Sequence, residues 1–392
     1  MPFNFRLFFR LTYLSLFKSQ GTHARLTRKR ALALLAFYAL FLPVQLINWV
    51  FFLLDDLLIP AYRRVEVKEP VFIVGPPRSG STHLLRVLAR DEGTFASPKL
   101  WELIVAPAIT QRRMVRTLAR LDRKLGSPIQ TWLGAWEERA FEDSDEYHKI
   151  RLHEPDEDEL SLLPIFSAIH LVFPFPFLEE FAPYVYFDTQ VPPAERARFM
   201  AFYRRTMQRT LYQYGPEKHF LSKSPAHSGR VESLREAFPD ARFIYTTRAP
   251  SEVLPSTMSL FSFQWHTFCD PLEAYPFGDY MVEMTKHLYD YPIRRLEEGP
   301  DGRMVVVTFD ELVGDLGGTI RDIYSALGFE IGSEYGRALE KEVEKARGYE
   351  SQHDYSLGGM GFTPEQIAEM YEDVLERFEF ETPQSHQGAE IQ

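Results

Sequence analysis

The chain has 392 residues, of which 45% are apolar and 25% charged, a composition that excludes a disordered, collagen-like or purely coiled-coil protein. Residues 1–54 carry seven basic and no acidic side chains, so the net charge of −11 leaves −18 for residues 55–392. An acidic body excludes nucleic acid as a partner, whereas a basic, apolar N-terminal segment suits an anionic membrane surface. Cys269 is the only cysteine, which excludes an intrachain disulfide and favours a reducing compartment.

The N-terminal segment contains an uncharged run, residues 31–54, that follows a basic triplet at 28–30 and precedes an acidic pair at 55–56. A helix of this length could cross the ~30 Å hydrocarbon core of a bilayer. Pro43, Gln45 and Asn48 interrupt its middle, which favours a kinked or re-entrant helix within one leaflet. The run is too long for a cleaved signal peptide and no small-residue cleavage site follows it. Residues 1–60 are therefore predicted to be membrane-associating helices, spanning or monotopic, with a buried core hairpin as the alternative.

Residues 61–392 alternate short β-branched runs with helical patterns, which predicts one α/β domain with a central parallel sheet and helical insertions. The predicted strands cover residues 71–74, 220–222, 242–246 and 303–308. The predicted helices cover residues 112–125, 194–214, 228–238, 279–298, 319–327 and 364–379. Residues 160–187 are dense in proline and aromatic side chains and match no regular element.

A glycine-containing loop, residues 75–82 (GPPRSGST), lies between the first predicted strand and a helix. Backbone N–H groups and a helix N-terminus converge on an anion in such a turn. The spacing matches G-x-x-x-x-G-K-[ST], except that Ser81 stands where that motif has the lysine for the β- and γ-phosphates. Arg78 supplies a cation inside the loop instead. The loop is therefore predicted to bind one phosphate and a nearby anionic group rather than a magnesium triphosphate, and a purely structural turn is the alternative.

Four segments together carry a resemblance to one family. Residues 76–84 (PPRSGSTHL) resemble the 5′-phosphosulfate loop of sulfotransferases that use 3′-phosphoadenosine 5′-phosphosulfate (PAPS), in the form found in the tyrosylprotein and bacterial branches. Residues 243–256 (FIYTTRAPSEVLPS) are similar to the family's 3′-phosphate segment, and residues 221–225 (LSKSP) to its lysine-bearing element. Residues 307–313 (VTFDELV) are more weakly similar to its Y-E-D-L segment. The segments occur in the family's order.

This resemblance implies a three-layer fold of the P-loop type, PAPS as sulfuryl donor, the bisphosphate PAP as product, and no metal. It implies that Arg78 holds the 5′-phosphate and neutralises the leaving oxygen, that Lys223 stabilises the transferred sulfuryl group, and that Arg248 and Ser256 bind the 3′-phosphate. The remaining residues implied to hold the 5′-phosphate are Ser79, Gly80, Ser81 and Thr82. Residues 356–363 lack the basic side chains of the family's glycine-rich element, which leaves the other adenosine contacts unassigned.

A general base for the acceptor hydroxyl is predicted at Glu102, where family members with this loop often carry a glutamate. Partial desolvation beside Trp101 would raise the proton affinity of its carboxylate. An ordinary first-turn helix carboxylate is the alternative, and His83 and His227 are weaker candidates for the base. The acidic run at 154–159 is interpreted as a solvated face rather than a metal site.

The acceptor pocket is predicted to come from residues 165–187 and 260–277, which are rich in aromatic side chains and proline. These segments favour a lipophilic hydroxyl acceptor, with plain core packing as the alternative. Because PAPS must reach the site, the catalytic domain is expected to face the cytoplasm, or the Golgi lumen in a eukaryote. The competing functions are a membrane-associated kinase-like enzyme and a noncatalytic nucleotide-binding membrane scaffold.

Overall fold

A five-stranded parallel sheet forms the centre of the computed structural model, which describes residues 3–141, 151–272, 278–298, 303–346 and 362–381. The strand order is β2-β3-β1-β4-β5. The strands are β1 (Val71–Val74), β2 (Phe95–Ala96), β3 (His219–Lys223), β4 (Arg242–Thr247) and β5 (Met304–Thr308). The four predicted strands and their parallel pairing are confirmed, and the two-residue β2 adds an edge strand.

Helices surround the sheet and form the N-terminal segment. In chain order they are α1 (Phe5–Phe17), α2 (Arg28–Leu58), α3 (Ser81–Leu88), α4 (Leu100–Ile104), α5 (Ile109–Lys124), α6 (Pro128–Phe141), α7 (Leu178–Val185), α8 (Phe187–Gln190), α9 (Pro193–Tyr214), α10 (Val231–Ala237), α11 (Pro250–Phe268), α12 (Gly278–Glu297), α13 (Phe309–Gly314), α14 (Leu316–Leu327), α15 (Ser333–Ala346), α16 (Pro364–Met370) and α17 (Glu372–Arg377). Short 3₁₀ helices cover Pro60–Arg64, Asp158–Ile165, Ile169–Val172 and Pro225–Arg230.

The two faces of the sheet are covered by separate hydrophobic clusters, as the period of two along a strand requires. Phe72 and Val74 of β1 belong to a large cluster with side chains of α9, α10 and α12. Val71 and Ile73 belong to a second cluster with α3, α14 and α15. The sheet is therefore buried between two helical layers, and its strand ends remain available for a site.

The long helix α2 continues through Pro43 without a break in its helical assignment, and whether it lies within one leaflet stays a prediction. Its polar residues are turned toward the body and make hydrogen bonds there. Asn48 accepts a hydrogen bond from Gln111 (2.8 Å), and Asp55 accepts one from the backbone N–H of Ile109 (2.8 Å). The polar side chains that interrupt the apolar run in the sequence therefore attach α2 to the rest of the protein.

Candidate active site

The glycine loop, residues 75–82, connects β1 to α3 and lies tightly against its neighbours. Gly75 has φ of 131°, and a Cβ there would lie 2.0 Å from the carbonyl oxygen of Thr246 in β4. Gly80 is left-handed (φ 80°) and begins α3, and a Cβ there would lie 2.9 Å from the ring of Phe309. Any side chain at either position would displace the loop from β4 or from α13.

Side-chain hydrogen bonds hold the loop in place. Ser79 Oγ donates to the carbonyl oxygen of Pro76 and lies 2.8 Å from Thr246 Oγ1. Ser228 Oγ accepts a hydrogen bond from the Gly75 N–H (2.8 Å) and donates one back to the Gly75 carbonyl (3.0 Å). The Ser79 side chain is thus committed to the loop, which leaves its backbone N–H as the group it can offer a ligand.

Arg78 and Ser256, predicted from separate motifs, are in direct contact. Arg78 Nε donates to Ser256 Oγ at 2.8 Å, and Ser256 is buried in the second turn of α11. Arg78 itself has φ of 64° in the loop. Ser81 is buried and Thr82 half-buried in the first turn of α3. The structure therefore joins the loop and the predicted 3′-phosphate segment into one site.

Arg248 follows β4 and lies over the ring of Phe309, with its guanidinium carbon 4.0 Å from the ring centroid. The same ring packs against Gly80, so Arg248 lies beside the glycine loop. Its guanidinium also pairs with Glu252. Among the residues that the structure describes, the buried Arg248 Nε and Thr247 Oγ1 have no hydrogen-bond partner. Unsatisfied buried donors beside an N–H-rich loop are suited to an anionic ligand.

Lys223 ends β3 directly beside β1, opposite Ile73 in the register of the sheet. Its side chain is only 2% exposed, and Nζ donates to Glu157 Oε1 at 2.8 Å. The ends of β1, β3 and β4 thus bring the glycine loop, Lys223 and Arg248 to one edge of the sheet, as the motif order predicts.

The acidic run is not a solvated face, and that interpretation is wrong. Asp158 accepts hydrogen bonds from Ser222 Oγ (2.8 Å) and Tyr203, and Glu159 accepts one from Arg230 Nη2 (3.2 Å). Asp158 and Glu159 are almost fully buried. The run is buried because it neutralises cations that other segments bring to the sheet edge. No group of three or more His, Cys, Asp or Glu side chains among the described residues has the arrangement of a metal site.

Glu157 and His170 form a charged pair next to Lys223. His170 Nε2 lies 3.3 Å from Glu157 Oε2, and Nδ1 lies 3.0 Å from Glu159 Oε2. Burial opposes its protonation, but hydrogen bonds to both glutamates raise the pKa of His170 to about 10. Burial likewise opposes ionisation of Glu157, yet Lys223 and His170 hold its pKa well below the usual range. Glu157 is therefore a carboxylate at neutral pH.

Glu102 is fully buried in α4 and serves as a helix cap. It accepts hydrogen bonds from the Lys99 N–H (3.0 Å), Tyr214 Oη (2.9 Å) and Arg116 Nη2 (3.3 Å). These partners lie before α4, in α9 and in α5. The structure thus encloses Glu102 among these groups, and its role as a base stays a prediction. His227, another candidate, is also fully buried, whereas His83 is exposed.

An apolar cavity of about 420 Å³ adjoins these groups. Pro77 of the glycine loop lines it, together with Glu157 and His170. Leu100 and Ile104, four residues apart on one face of α4, line it as well, whereas Glu102 lies between them on the other side. Both predicted acceptor segments contribute to the wall, through Ile169, His170, Val172, Phe173, Pro174, Val185, Leu260, Phe261, Phe263, Gln264 and Phe268. Residues 273–277 of the second segment, and 356–361 of the late glycine-rich segment, lie outside the described residues.

The family follows from a match to a sequence model described as the sulfotransferase family, which covers residues 70–169 and 178–333. The chain belongs to the sulfotransferase family. This match confirms the family that the motifs resemble, and it favours sulfuryl transfer over the kinase-like and scaffold alternatives.

Curated relatives agree with this sulfotransferase assignment in sequence, and solved structures share the fold. The chain is 28% identical over 331 residues to the omega-hydroxy-beta-dihydromenaquinone-9 sulfotransferase Stf3 of Mycobacterium bovis and to that of Mycobacterium tuberculosis, covering 81% of this chain and 76% of the relative. Its fold is similar to that of sulfotransferase STF9 from Mycobacterium avium (TM-score 0.69, 18% identity, 97% of this chain and 98% of the other). It is equally similar to STF1 from Mycobacterium tuberculosis (TM-score 0.69, 18% identity, 93% and 91%).

Proposed function

We propose that this sulfotransferase transfers a sulfuryl group from PAPS to the hydroxyl of a lipophilic acceptor held in the 420 Å³ cavity. The observation that carries the proposal is the cavity wall, which includes Pro77 of the glycine loop and Glu157, the ion-pair partner of Lys223. An apolar cavity with a few charged side chains at the glycine loop suits an amphiphile whose polar end reacts. The relative Stf3 is named for such a substrate, a hydroxylated menaquinone.

The residues at the sheet edge fit the donor. The glycine loop offers backbone N–H groups and Arg78 to one anionic group, and Arg248 offers an unsatisfied Nε to a second. Two separate cationic positions match the two phosphate groups of PAPS. When bound, PAPS supplies an activated sulfuryl group on its 5′-phosphate. The loop and Arg78 would hold that phosphate, and Arg248 with Ser256 would hold the 3′-phosphate.

Lys223 is the cation that would stabilise the transferred group. Its ammonium is nearly buried, and Glu157 neutralises it in the structure. A buried ammonium at a water-poor junction stabilises developing negative charge more strongly than one in solvent. Because the transition state of sulfuryl transfer resembles that of phosphoryl transfer, such positioned cations supply much of the catalysis.

Two carboxylates are candidates for the base. The sequence points to Glu102, but its oxygens are occupied by three donors and its side chain is fully buried. Glu157 lines the cavity, is ionised at neutral pH and lies beside Lys223. Its place on the cavity wall supports Glu157 as the group that accepts the hydroxyl proton, although its ion pairs with Lys223 and His170 weaken it as a base until Lys223 engages the donor. Glu102 would act through the α4 segment that shapes the cavity.

The N-terminal helices fit a membrane-bound enzyme. By length and composition α2 can cross a membrane, and only 17% of its most apolar window is buried inside the protein. Its polar residues, however, are turned to the body, so its apolar face is the one left for lipid. This arrangement supports monotopic attachment, with the catalytic domain on the cytoplasmic side or, in a eukaryote, in the Golgi lumen, where a lipid acceptor could pass directly from the leaflet to the cavity.

A donor-binding titration and a labelled-donor assay test the proposal together. We expect calorimetry to show binding of PAP but weaker binding of ATP, and Arg248→Ala to lower PAP affinity by roughly 10- to 100-fold. Arg337→Ala, on the exposed face of α15, is the matched control. With labelled PAPS and lipid extracts, the label should enter lipophilic alcohols. Tighter binding of ATP, or far better sulfation of sugars and peptides, would overturn the donor or the acceptor assignment respectively.

A further inference from the structure

A helical arm, residues 113–135 of α5 and α6, projects from the body with an unusual surface. Large apolar side chains lie exposed along it, at Met114, Leu118, Leu121, Leu125, Ile129 and Trp132. The spacing of the first four, at steps of four, three and four residues, puts them on one face of the helix. Leu125 at the corner is 78% exposed and Trp132 is 66% exposed. The arm therefore presents an apolar stripe, formed by these six side chains, to its surroundings.

The same arm is strongly basic. Its exposed charged side chains are Arg113, Arg116, Arg120, Arg123 and Lys124. Its one carboxylate, Asp122, is buried and accepts hydrogen bonds from the backbone N–H groups of Ile129 (2.9 Å) and Gln130 (3.0 Å). Asp122 thus caps α6 and fixes the corner between the two helices. In a body that carries −18 over residues 55–392, this concentration of positive charge is local and held in a defined shape.

We propose that this arm is a second membrane-binding element, which inserts its apolar stripe among anionic lipids. The proposal rests on the membrane association argued above for α1 and α2. Exposed leucines and a tryptophan interspersed with arginines are typical of a helix at an anionic lipid interface. The base of the arm is also attached to α2, because Thr110 and Gln111 donate hydrogen bonds to Asp55 and Asn48 of that helix. An anionic bilayer satisfies the charge and the apolar surface together.

The arm bears on the reaction because it begins beside the cavity. The segment α4, whose Leu100 and Ile104 line the cavity, leads directly into α5, and Arg116 of the arm donates to the buried Glu102 of α4. Binding of the arm to lipid would thus hold the cavity wall close to the leaflet that contains the acceptor. It also predicts a preference for anionic lipids that exceeds what the basic residues of α1 and α2 provide.

A fluorescent label on the arm tests this proposal in the full-length protein. In a Cys269→Ala background, Leu125→Cys carries an environment-sensitive fluorophore, and Arg337→Cys on α15 carries the control label. We expect vesicles of phosphatidylcholine with phosphatidylglycerol to shift the emission of the arm label to the blue and to leave the control label unchanged. Arg120→Glu with Arg123→Glu should weaken vesicle binding roughly tenfold or more. Arg90→Glu with Arg337→Glu, exposed residues outside the arm, is the matched control.

Either of two results overturns the proposal. One is an arm label that remains in water on vesicles that do bind the protein, which would leave α1 and α2 as the whole attachment. A blue shift that grows with protein concentration without vesicles would instead identify a second copy of the chain as the occupant. Sulfuryl transfer to a short-chain alcohol in detergent is measured in parallel. Detergent makes a bilayer unnecessary, so the unmodified enzyme should show this activity whether or not the arm binds lipid. If the unmodified enzyme shows no such activity, the result contradicts the proposed function and says nothing against the arm.

Discussion

Two glutamates near the cavity carry the same functional group in different surroundings. Glu102 lies in a closed set of donors that includes Tyr214 and Arg116, with Arg112 Nε 3.9 Å away. Removing a charge from such a buried set leaves the cations unpaired, which costs stability. Glu157 also pairs with a nearly buried cation, Lys223, so its removal costs some stability as well, but it lines the cavity and a change there acts on the reacting groups. A neutral substitution at each position therefore distinguishes a role in the reaction from a role in stability alone.

We expect Glu157→Gln to lower kcat by about 10²-fold or more, the usual contribution of a general base, and to leave PAP affinity within a fewfold of the wild type. Glu102→Gln should lower the free energy of unfolding by about 3 kcal/mol while the folded enzyme keeps most of its kcat. Steady-state kinetics and urea unfolding measure the two effects. Glu154→Gln, in the same acidic run and paired with Arg86 on the partly exposed side, is the matched control.

The reverse pattern would restore the assignment that the sequence suggests. If Glu102→Gln folds normally and loses turnover while Glu157→Gln keeps it, Glu102 is the base. Glu157 would then serve only to hold the ammonium of Lys223 in place.

At the scale of elements, α2 is joined to the body by a buried ionic contact rather than by apolar packing alone. Asp55 accepts hydrogen bonds from the N–H groups of Ile109 (2.8 Å) and Thr110 (2.9 Å), and its carboxylate thereby caps the N-terminus of α5. It also pairs with Arg209 of α9 at 3.1 Å. One carboxylate thus links three helices, and it lies within the segment that the sequence assigns to a separate membrane region.

Asp55→Ala should lower the free energy of unfolding by about 3 kcal/mol, because it removes the nearer of the two carboxylates that pair with the buried Arg209 and also removes the α5 cap. Asp55→Asn keeps one acceptor oxygen and should be less damaging. Asp279→Ala, in the exposed first turn of α12, should change stability by no more than about 0.5 kcal/mol. Equal stability of the Asp55 and Asp279 variants in urea unfolding would mean that residues 1–60 are a detachable anchor.

The elements with strong local patterns were predictable from the sequence. The buried run at 71–74 and the glycine loop after it carry their own signal, and so do the long helices α5, α9 and α12. The two-residue β2 has no pattern of its own and exists because His219 and Phe220 of β3 pair with it. The helix predicted over 364–379 is divided at Tyr371 between α16 and α17.

The parts of the candidate site that lie within one sequence motif were predictable. The parts formed by contacts between distant segments were missed. Arg78, Lys223 and Arg248 follow strands whose order is readable, so their convergence was expected. Glu157 and Glu159 look like surface residues in a run of carboxylates. Their burial depends on Lys223 and Arg230, more than sixty residues away. The sequence did contain one signal for the burial of these glutamates. The motifs carry several cations, and cations that are buried need carboxylates nearby as counter-ions.

In the whole molecule, basic side chains are concentrated on the surfaces that are proposed to bind anions. The acidic body places fixed cations at the sheet edge beside the glycine loop, with Glu157 and Glu252 as their counter-ions. The basic N-terminal segment and the basic arm lie where apolar side chains are exposed. Positive charge is thus placed at the two kinds of surface that are proposed to meet anions, the donor and the lipid.

Monotopic attachment predicts that both ends of α2 lie on the same side of the membrane. In a Cys269→Ala background, single cysteines at Gln20, before α2, and at Arg64, after it, are both exposed in the protein. We expect a membrane-impermeant maleimide to label both or neither in sealed vesicles of one orientation, and both after detergent is added. The physical reason is that Arg30, Asn48 and Asp55 along α2 are buried against the body, so the helix cannot leave it to cross a bilayer without exposing them to lipid. Labelling of Gln20→Cys and Arg64→Cys from opposite sides would establish a spanning helix and require those contacts to break.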